Sequence, residues 1–317
     1  MILLVTNQRD LTTDYIVREL QDRKVPYYRL NTETISDHKC SIGYKSLDDW
    51  NIGNIEGESV SSAYFRRPSA PICRLKSLKN EEQEYVQMEW LAFLKSIYSR
   101  LDRKWFSSPI NISLAEDKPR QLLLANKIGF NIPQSIISNN FSHIISRTPN
   151  ENLIAKPLRQ ALISGYDEKV VFTSRIPKIT QEHEASISFA PSIFQQEIIK
   201  RFDVRVTVVG PKVFPVAIWS QENTETEVDW RKGGNINLVH EHIDIPSNIK
   251  DKCIELVKML GLKFGAIDLI CDKNNNYWFL EINPNGQWAW IENQTKLPIA
   301  STIVDELLKI NENNDGH

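Results

Sequence analysis

Residues 264–283 read FGAIDLICDKNNNYWFLEIN, and the reading of this stretch decides the fold. Two apolar runs flank Asp272-Lys273-Asn274-Asn275-Asn276, a polar turn of the kind that closes a β-hairpin. Side chains two apart share a face of a strand, so Glu281 and Asn283 project together while Leu280 and Ile282 turn to the packed face. Asp268, in the first run, then faces Glu281 across the pair. An isolated ionised carboxylate in so apolar a strand is costly without a partner. Two carboxylates and an amide at one strand end suit a hard cation such as magnesium, which takes carboxylate, amide and phosphate oxygens. The plain alternative is an amphipathic hairpin whose polar residues face water.

Outward from the hairpin, the chain reads as α/β throughout. MILLVTNQRDLTTDYIVRELQDRKVPYYRLN gives strand, polar turn, amphipathic helix and strand, with Thr12 and Thr13 as expected helix caps. A short strand follows in SSAYFRRPSAP, then a long helix in NEEQEYVQMEWLAFLKSIYSRL, closing a first domain over residues 1–112. SLAEDKPRQLLLANKIGF is a helix stopped by Gly129, and Ile132-Pro133 enters a strand. From there strands and helices alternate, and only the tail NENNDGH has a disordered composition.

Composition limits the function classes. With 317 residues the chain holds about two domains, and 38 Lys+Arg against 40 Asp+Glu argue against a dedicated nucleic-acid binder. Cys40, Cys73, Cys253 and Cys271 are widely spaced, so reduced thiols are expected, with no disulfide and no zinc site. The apolar start MILLV is too short for a signal-peptide core, and no stretch has the length of a membrane span. A soluble, cytoplasmic protein is the expectation.

Single charges recur at the edges of apolar strands in the second half. Lys156 ends NLIAKP, Glu197 ends SIFQQE, Asp203 and Arg205 lie in RFDVRVTVV, and Arg231 lies in VDWRKGG. Cations converging on magnesium-bound oxygens are what a nucleoside triphosphate site requires. No G-x-x-x-x-G-K-[ST] phosphate loop is present, so the grip on phosphate comes from another architecture. His240 and His242 share a strand face but have no third ligand nearby, which fits a solvated strand better than a metal site.

The order Lys118 in EDKPRQLL, Lys156 in LIAKPL, QQEII at 195–199, Asp203-Val204-Arg205, Arg231, Asp268 and then EINPNGQ resembles the ATP-grasp ligases. Within them, AYFRRP at 63–68, FNIPQSIISN at 130–139, VDWR at 228–231 and NPNGQWAWIE at 283–292 resemble the graspetide synthetases, the microviridin-type maturases of ribosomal peptides. The resemblance implies an ATP-grasp fold behind an N-terminal pre-ATP-grasp α/β domain, with a central subdomain over 113–195 and a C-terminal one over 196–317. It implies ATP and Mg2+ as cofactors. Lys118 and Lys156 match the lysines that contact ATP phosphates and the adenine pocket, and Gln196, Glu197, Ile198 and Ile199 match the hinge that reads adenine. Asp203 matches a ribose or hinge contact, Arg205 and Arg231 match arginines near the transferred phosphate, and Asp268, Glu281 and Asn283 match the magnesium ligands. Residues 159–174 depart from the glycine-rich covering loop of many relatives, offering Gly165 alone.

The chemistry so implied is attack of a substrate carboxylate on the γ-phosphate, followed by displacement of phosphate by a hydroxyl or amine. Arg231 is the expected transition-state cation, and Arg66 and Arg67 in an exposed turn are candidates to hold an acidic substrate side chain. Trp288 and Trp290 either line a substrate groove or anchor the last helix. The expected partner is a ribosomal precursor peptide with a leader segment docking within residues 159–220. A homodimer is admitted, and neither nucleic acid nor membrane is expected. Two other readings stay open at this point: a ligase of free amino acids or small peptides, and a nucleotide-binding regulator without turnover.

Overall fold

The computed structural model describes residues 1–72, 77–148, 152–159, 162–163, 169–170, 173–176, 178–222, 224, 226–233 and 238–314. The chain divides into two compact units, the first holding residues 1–112, 261–264 and 287 onward, the second residues 113–260 and 265–286. Among the described residues no helix is long and apolar enough to cross a membrane.

The first unit is built on a parallel sheet in the order Tyr27–Asn31, Ile2–Thr6, Ser62–Phe65. All five residues of the central strand are buried, which explains why it reads as an unbroken apolar run rather than an alternation. The helix Leu11–Asp22 is capped by Asp10, whose carboxylate accepts from the Thr13 backbone N–H, and not by Thr12 or Thr13. Both threonines are buried inside the first turn, and the Thr13 hydroxyl donates to the same Asp10 carboxylate. An antiparallel meander of Cys40–Ile42, Trp50–Ile52 and Ile55–Glu56 and the helix Asn80–Arg100 complete the amino-terminal part. Trp288 is fully buried, edge-on to Tyr15 at 6.1 Å between ring centroids, so it anchors the carboxy-terminal helices. The helix Ile299–Asn314 runs on through residues that composition alone reads as disordered.

The second unit carries two sheets. One is antiparallel, in the order Ser174–Ile176, Leu153–Lys156, Ser192–Gln196, Ser135–Ser138. The other has five strands in the order His240–His242, Lys212–Ile218, Lys200–Val209, Phe264–Asp272, Tyr277–Asn283. The hairpin forms as expected, with its turn held by Asp272, whose carboxylate accepts from the backbone N–H groups of Asn274 and Asn276 and from the Trp278 indole. Asn275 takes the left-handed φ of 62° that such a turn needs. Tyr277–Asn283 is an edge strand, and its outer side is sealed: the Phe279 N–H donates to the Asn131 carbonyl at 2.8 Å, and Gln121 covers Ile282. The helix expected from SLAEDKPRQLLL forms as two, Pro109–Ala115 and Lys118–Ile128, because Asp117 caps the second through the Arg120 N–H. Gly129 ends it at φ 87°, a left-handed stop.

Candidate active site

The hairpin register sets Asp268 opposite Glu281 and Ala266 opposite Asn283. The pairing slips between Asp268 and Leu269, so Leu280 is an extra residue with no partner of its own. This bulge overturns the simple alternation. Phe279 and Ile282 are the buried pair, while Leu280 turns to the same cavity as Glu281 and Asn283.

The cavity has a volume of about 290 Å3. Asp268, Glu281 and Asn283 line one wall, and Lys118, Lys156, Arg159 and Arg231 bring cations to it. Lys118 Nζ lies 3.3 Å from Glu281 Oε2 and donates to the Pro157 carbonyl at 3.1 Å. Arg231 NH1 lies 3.6 Å from the other Glu281 oxygen. Arg205 donates to Asp268 Oδ1 at 2.6 Å, and the Asn283 amide donates to Asp268 Oδ2 at 3.2 Å. Arg205 is buried and reaches the site through Asp268, with Trp230 5.9 Å from its guanidinium carbon. Lys156 ends its strand as expected, and its ammonium donates to Gln195 Oε1 at 2.7 Å.

Burial pushes the Asp268 carboxyl up to about 6, against the pull of Arg205 and with a further push from Glu281. Burial acts the same way on Glu281, yet Lys118, Arg231 and Lys156 together hold it below the usual carboxylate range. Lys156 is lowered to about 8, first by burial and then by Lys118 and Arg231, with Glu281 opposing. Arg231 is held charged chiefly by its fork onto Asp229, at 2.8 Å to each carboxylate oxygen.

These residues fit a magnesium–nucleotide end group. Three oxygen-bearing side chains converge from facing strands, and cations already sit against both carboxylates where an incoming ion and phosphates would relieve the same charge. Asn283 now presents its N–H to Asp268; turning the amide over presents its oxygen.

The remaining expected residues are less uniformly placed. Gln196, Glu197, Ile198 and Ile199 form the connection from the Ser192–Gln196 strand to the Lys200–Val209 strand. Glu197 is forked to Arg175 at 2.6–3.0 Å, and Ile199 is exposed. Asp203 lines the cavity, and its carboxylate already accepts from Lys200 at 2.7 Å and from the Ser220 hydroxyl. Arg66 departs from the expectation of an exposed turn: it is 1% exposed inside the first unit, beside Asp10 at 3.6 Å. Arg67 is exposed, at a left-handed φ of 43°. His240 is half-buried and His242 exposed on the far edge strand. Gly165, Cys73 and much of the expected covering loop lie outside the described residues.

Four side chains escaped the sequence reading. Gln195 holds Lys156, Asp229 holds Arg231, Lys200 holds Asp203, and Gln121 holds the backbone of Ile282. A signal existed for two of them: Asp229 stands two residues before Arg231, and Gln121 shares a helix face with Lys118 at i,i+3.

Cations and carboxylates gathered around one cleft suit a metal-bound nucleotide, and comparison with known proteins gives the family. The model of the RimK-like ATP-grasp domain matches residues 115–307, more than half of the chain, and the chain belongs to that family of ATP-grasp ligases. A RiPP-associated ATP-grasp ligase of Chryseobacterium gregarium, solved with ADP and a leader and core peptide, is similar at 26% identity and a TM-score of 0.86, over 97% of this chain and 96% of that one. Macrocyclase MdnC of Microcystis aeruginosa MRC, bound with precursor peptide MdnA, is similar at 26% identity and a TM-score of 0.80, over 98% and 99%. Macrocyclase MdnB of the same organism is similar at 25% identity and a TM-score of 0.77, over 96% and 98%. Among curated protein sequences none matches.

Proposed function

We propose that the chain activates Asp or Glu side chains of a ribosomal precursor peptide as acylphosphates and joins them to Thr or Ser hydroxyls or Lys amines, closing ω-ester or ω-amide crosslinks. The observation that carries this reading is the cavity itself, where Asp268, Glu281 and Asn283 stand opposite Lys118, Lys156 and Arg231. The similarity to ligases solved with precursor peptides directs it to a peptide rather than a free amino acid.

Asp268, Glu281 and Asn283 would hold magnesium, which when bound would supply Lewis-acid neutralisation of the phosphate oxygens. Lys118 and Lys156 bind the phosphates, and Gln196 to Ile199 read the adenine. A carboxylate is a poor nucleophile and is repelled by a triphosphate, so the site must screen both anions and align them. Arg231 does so because Asp229 fixes its fork while NH1 stays turned to the cavity. The substrate carboxylate oxygen bonds to the γ-phosphorus as the bond to ADP breaks. The hydroxyl or amine then attacks the acyl carbon, loses its proton, and inorganic phosphate leaves.

A leader segment raises the effective concentration of the acceptor side chains, so core peptide alone should react poorly. ADP release measured with full precursor, with core alone and with free amino acids tests the reading. Release that depends on the full precursor supports it; equal release with free amino acids contradicts it.

A further inference from the structure

We infer that Gln121 is a positioning residue of this active site: its carboxamide fixes the backbone between Glu281 and Asn283 and locks it to the helix that carries Lys118. The inference rests on the reading of Glu281 and Asn283 as metal ligands.

Gln121 is 2% exposed, on the inner face of Lys118–Ile128. Its Oε1 accepts from the Ile282 N–H at 3.0 Å, while its Nε2 donates to the Ile282 carbonyl at 2.8 Å and to the Ala115 carbonyl at 2.7 Å. Both amide hydrogens and the amide oxygen are therefore in use. Ile282 is the one residue between the two expected ligands, and its side chain is 2% exposed in the core. Its outward N–H and carbonyl belong to an edge strand, where a neighbouring strand would normally take them. One glutamine side chain substitutes for that strand, and only at this residue. Past the bulge at Leu280 the strand end stays paired on its inner side, from Glu281 to Asn283, and Gln121 ties the outer side of the same stretch.

The same helix face reaches the cavity. Lys118, one turn before Gln121, lies 3.3 Å from Glu281 Oε2. Gln121 thus sets the height of the Glu281 carboxylate against the ammonium that neutralises it. A shift of the strand without this clamp would change the Lys118–Glu281 distance and the convergence of Glu281 with Asn283 together.

The test uses the full chain with ADP and Mn2+ as probe. Gln121→Met keeps length and volume and removes all three hydrogen bonds. Supporting groups behind metal ligands typically carry about a 10–100-fold effect on metal affinity. Electron spin resonance of Mn2+ should show ADP-dependent binding weakened in that range, while calorimetry shows metal-free AMP affinity unchanged. Combined with Glu281→Gln, the loss should be less than the product of the two single effects, since Gln121 acts through Glu281. If Gln121→Met does not fold, Gln121→Glu, which keeps the acceptor for the Ile282 N–H, is measured in the same way. Mn2+ binding equal to wild type, a parallel fall in AMP affinity, or strictly multiplicative effects with Glu281→Gln would overturn the inference. Wild-type protein that binds no ADP with Mn2+ overturns the nucleotide-site reading and this inference with it, whereas normal wild-type binding beside an unaffected variant overturns the role of Gln121 alone.

Discussion

Replacing Lys156 by alanine should weaken ATP far more than AMP. The ammonium sits at the end of Leu153–Lys156, is held by Gln195 at 2.7 Å, and faces a cavity shared with Lys118 and Arg231. A charge-assisted hydrogen bond to phosphate contributes about 1.5–3 kcal/mol, which corresponds to about a 10–150-fold change in Kd. AMP, lacking the outer phosphates, should lose only a small part of that. The pH dependence gives a second reading of the same residue. Burial lowers Lys156 to about 8, so the ligand-free site carries this cation at neutral pH and loses it above about 8. ATP affinity should therefore fall as pH rises from 7 to 9 in the wild type, and this decline should be missing in Lys156→Ala. The sign for stability is the reverse: a lysine lowered in the fold binds fewer protons there than in the unfolded chain between about 8 and its ordinary value, so its contribution to stability rises with pH across that window. Isothermal titration with ATP and AMP at several pH values measures both effects. Equal losses for ATP and AMP, or an alkaline decline that survives the substitution, would refute the reasoning.

Glu281→Gln and Asp268→Asn should each leave a folded protein that has lost most turnover; full activity in Glu281→Gln, measured by ADP release, contradicts the metal assignment. Because burial raises Asp268 to about 6, Mn2+ affinity should fall as pH drops below about 6, and a pH-independent affinity from 5 to 7 would remove Asp268 from the ligand set. Asp229→Asn should lower turnover with little change in ATP binding, since it frees the fork that aims Arg231, and a rise in KM at constant kcat would place Arg231 in ground-state binding instead. Trp288→Ala should destabilise the protein by about 3–5 kcal/mol in denaturant unfolding, because a fully buried indole leaves a cavity; a loss under about 1 kcal/mol would contradict its role as an anchor.

The hairpin and the candidate metal-site residues were legible because a polar turn divides two apolar runs and each run carries a charge out of place there. Counted back from the turn without a slip, Asp268 would stand opposite Leu280; the bulge moves it opposite Glu281. The bulge at Leu280 was not legible, since a one-residue slip leaves no mark in composition. The supporting residues were hidden for a different reason. Gln121 acts on backbone brought near only by folding, across the 161-residue separation from Ile282, and polarity at one position does not name a distant partner; Asp229, two residues before the arginine it holds, carries a local signal. Arg66 illustrates the converse: an Arg-Arg-Pro sequence reads as an exposed turn, yet a buried Asp10 at the start of the first helix draws one guanidinium inward. The sequence offers Thr12 and Thr13 beside Asp10 as capping types, and the choice among them depends on where the first strand ends.

The most direct test is the mass of the peptide product. Full precursor incubated with the protein, ATP and Mg2+ should yield species lighter by one water for each crosslink, with ADP released in step. Hydroxylamine added during turnover should convert Asp or Glu of the peptide to hydroxamates at the expense of crosslinks, as an acylphosphate requires. A precursor that keeps its full mass and forms no hydroxamate, while ADP is released on free amino acids, would contradict the account.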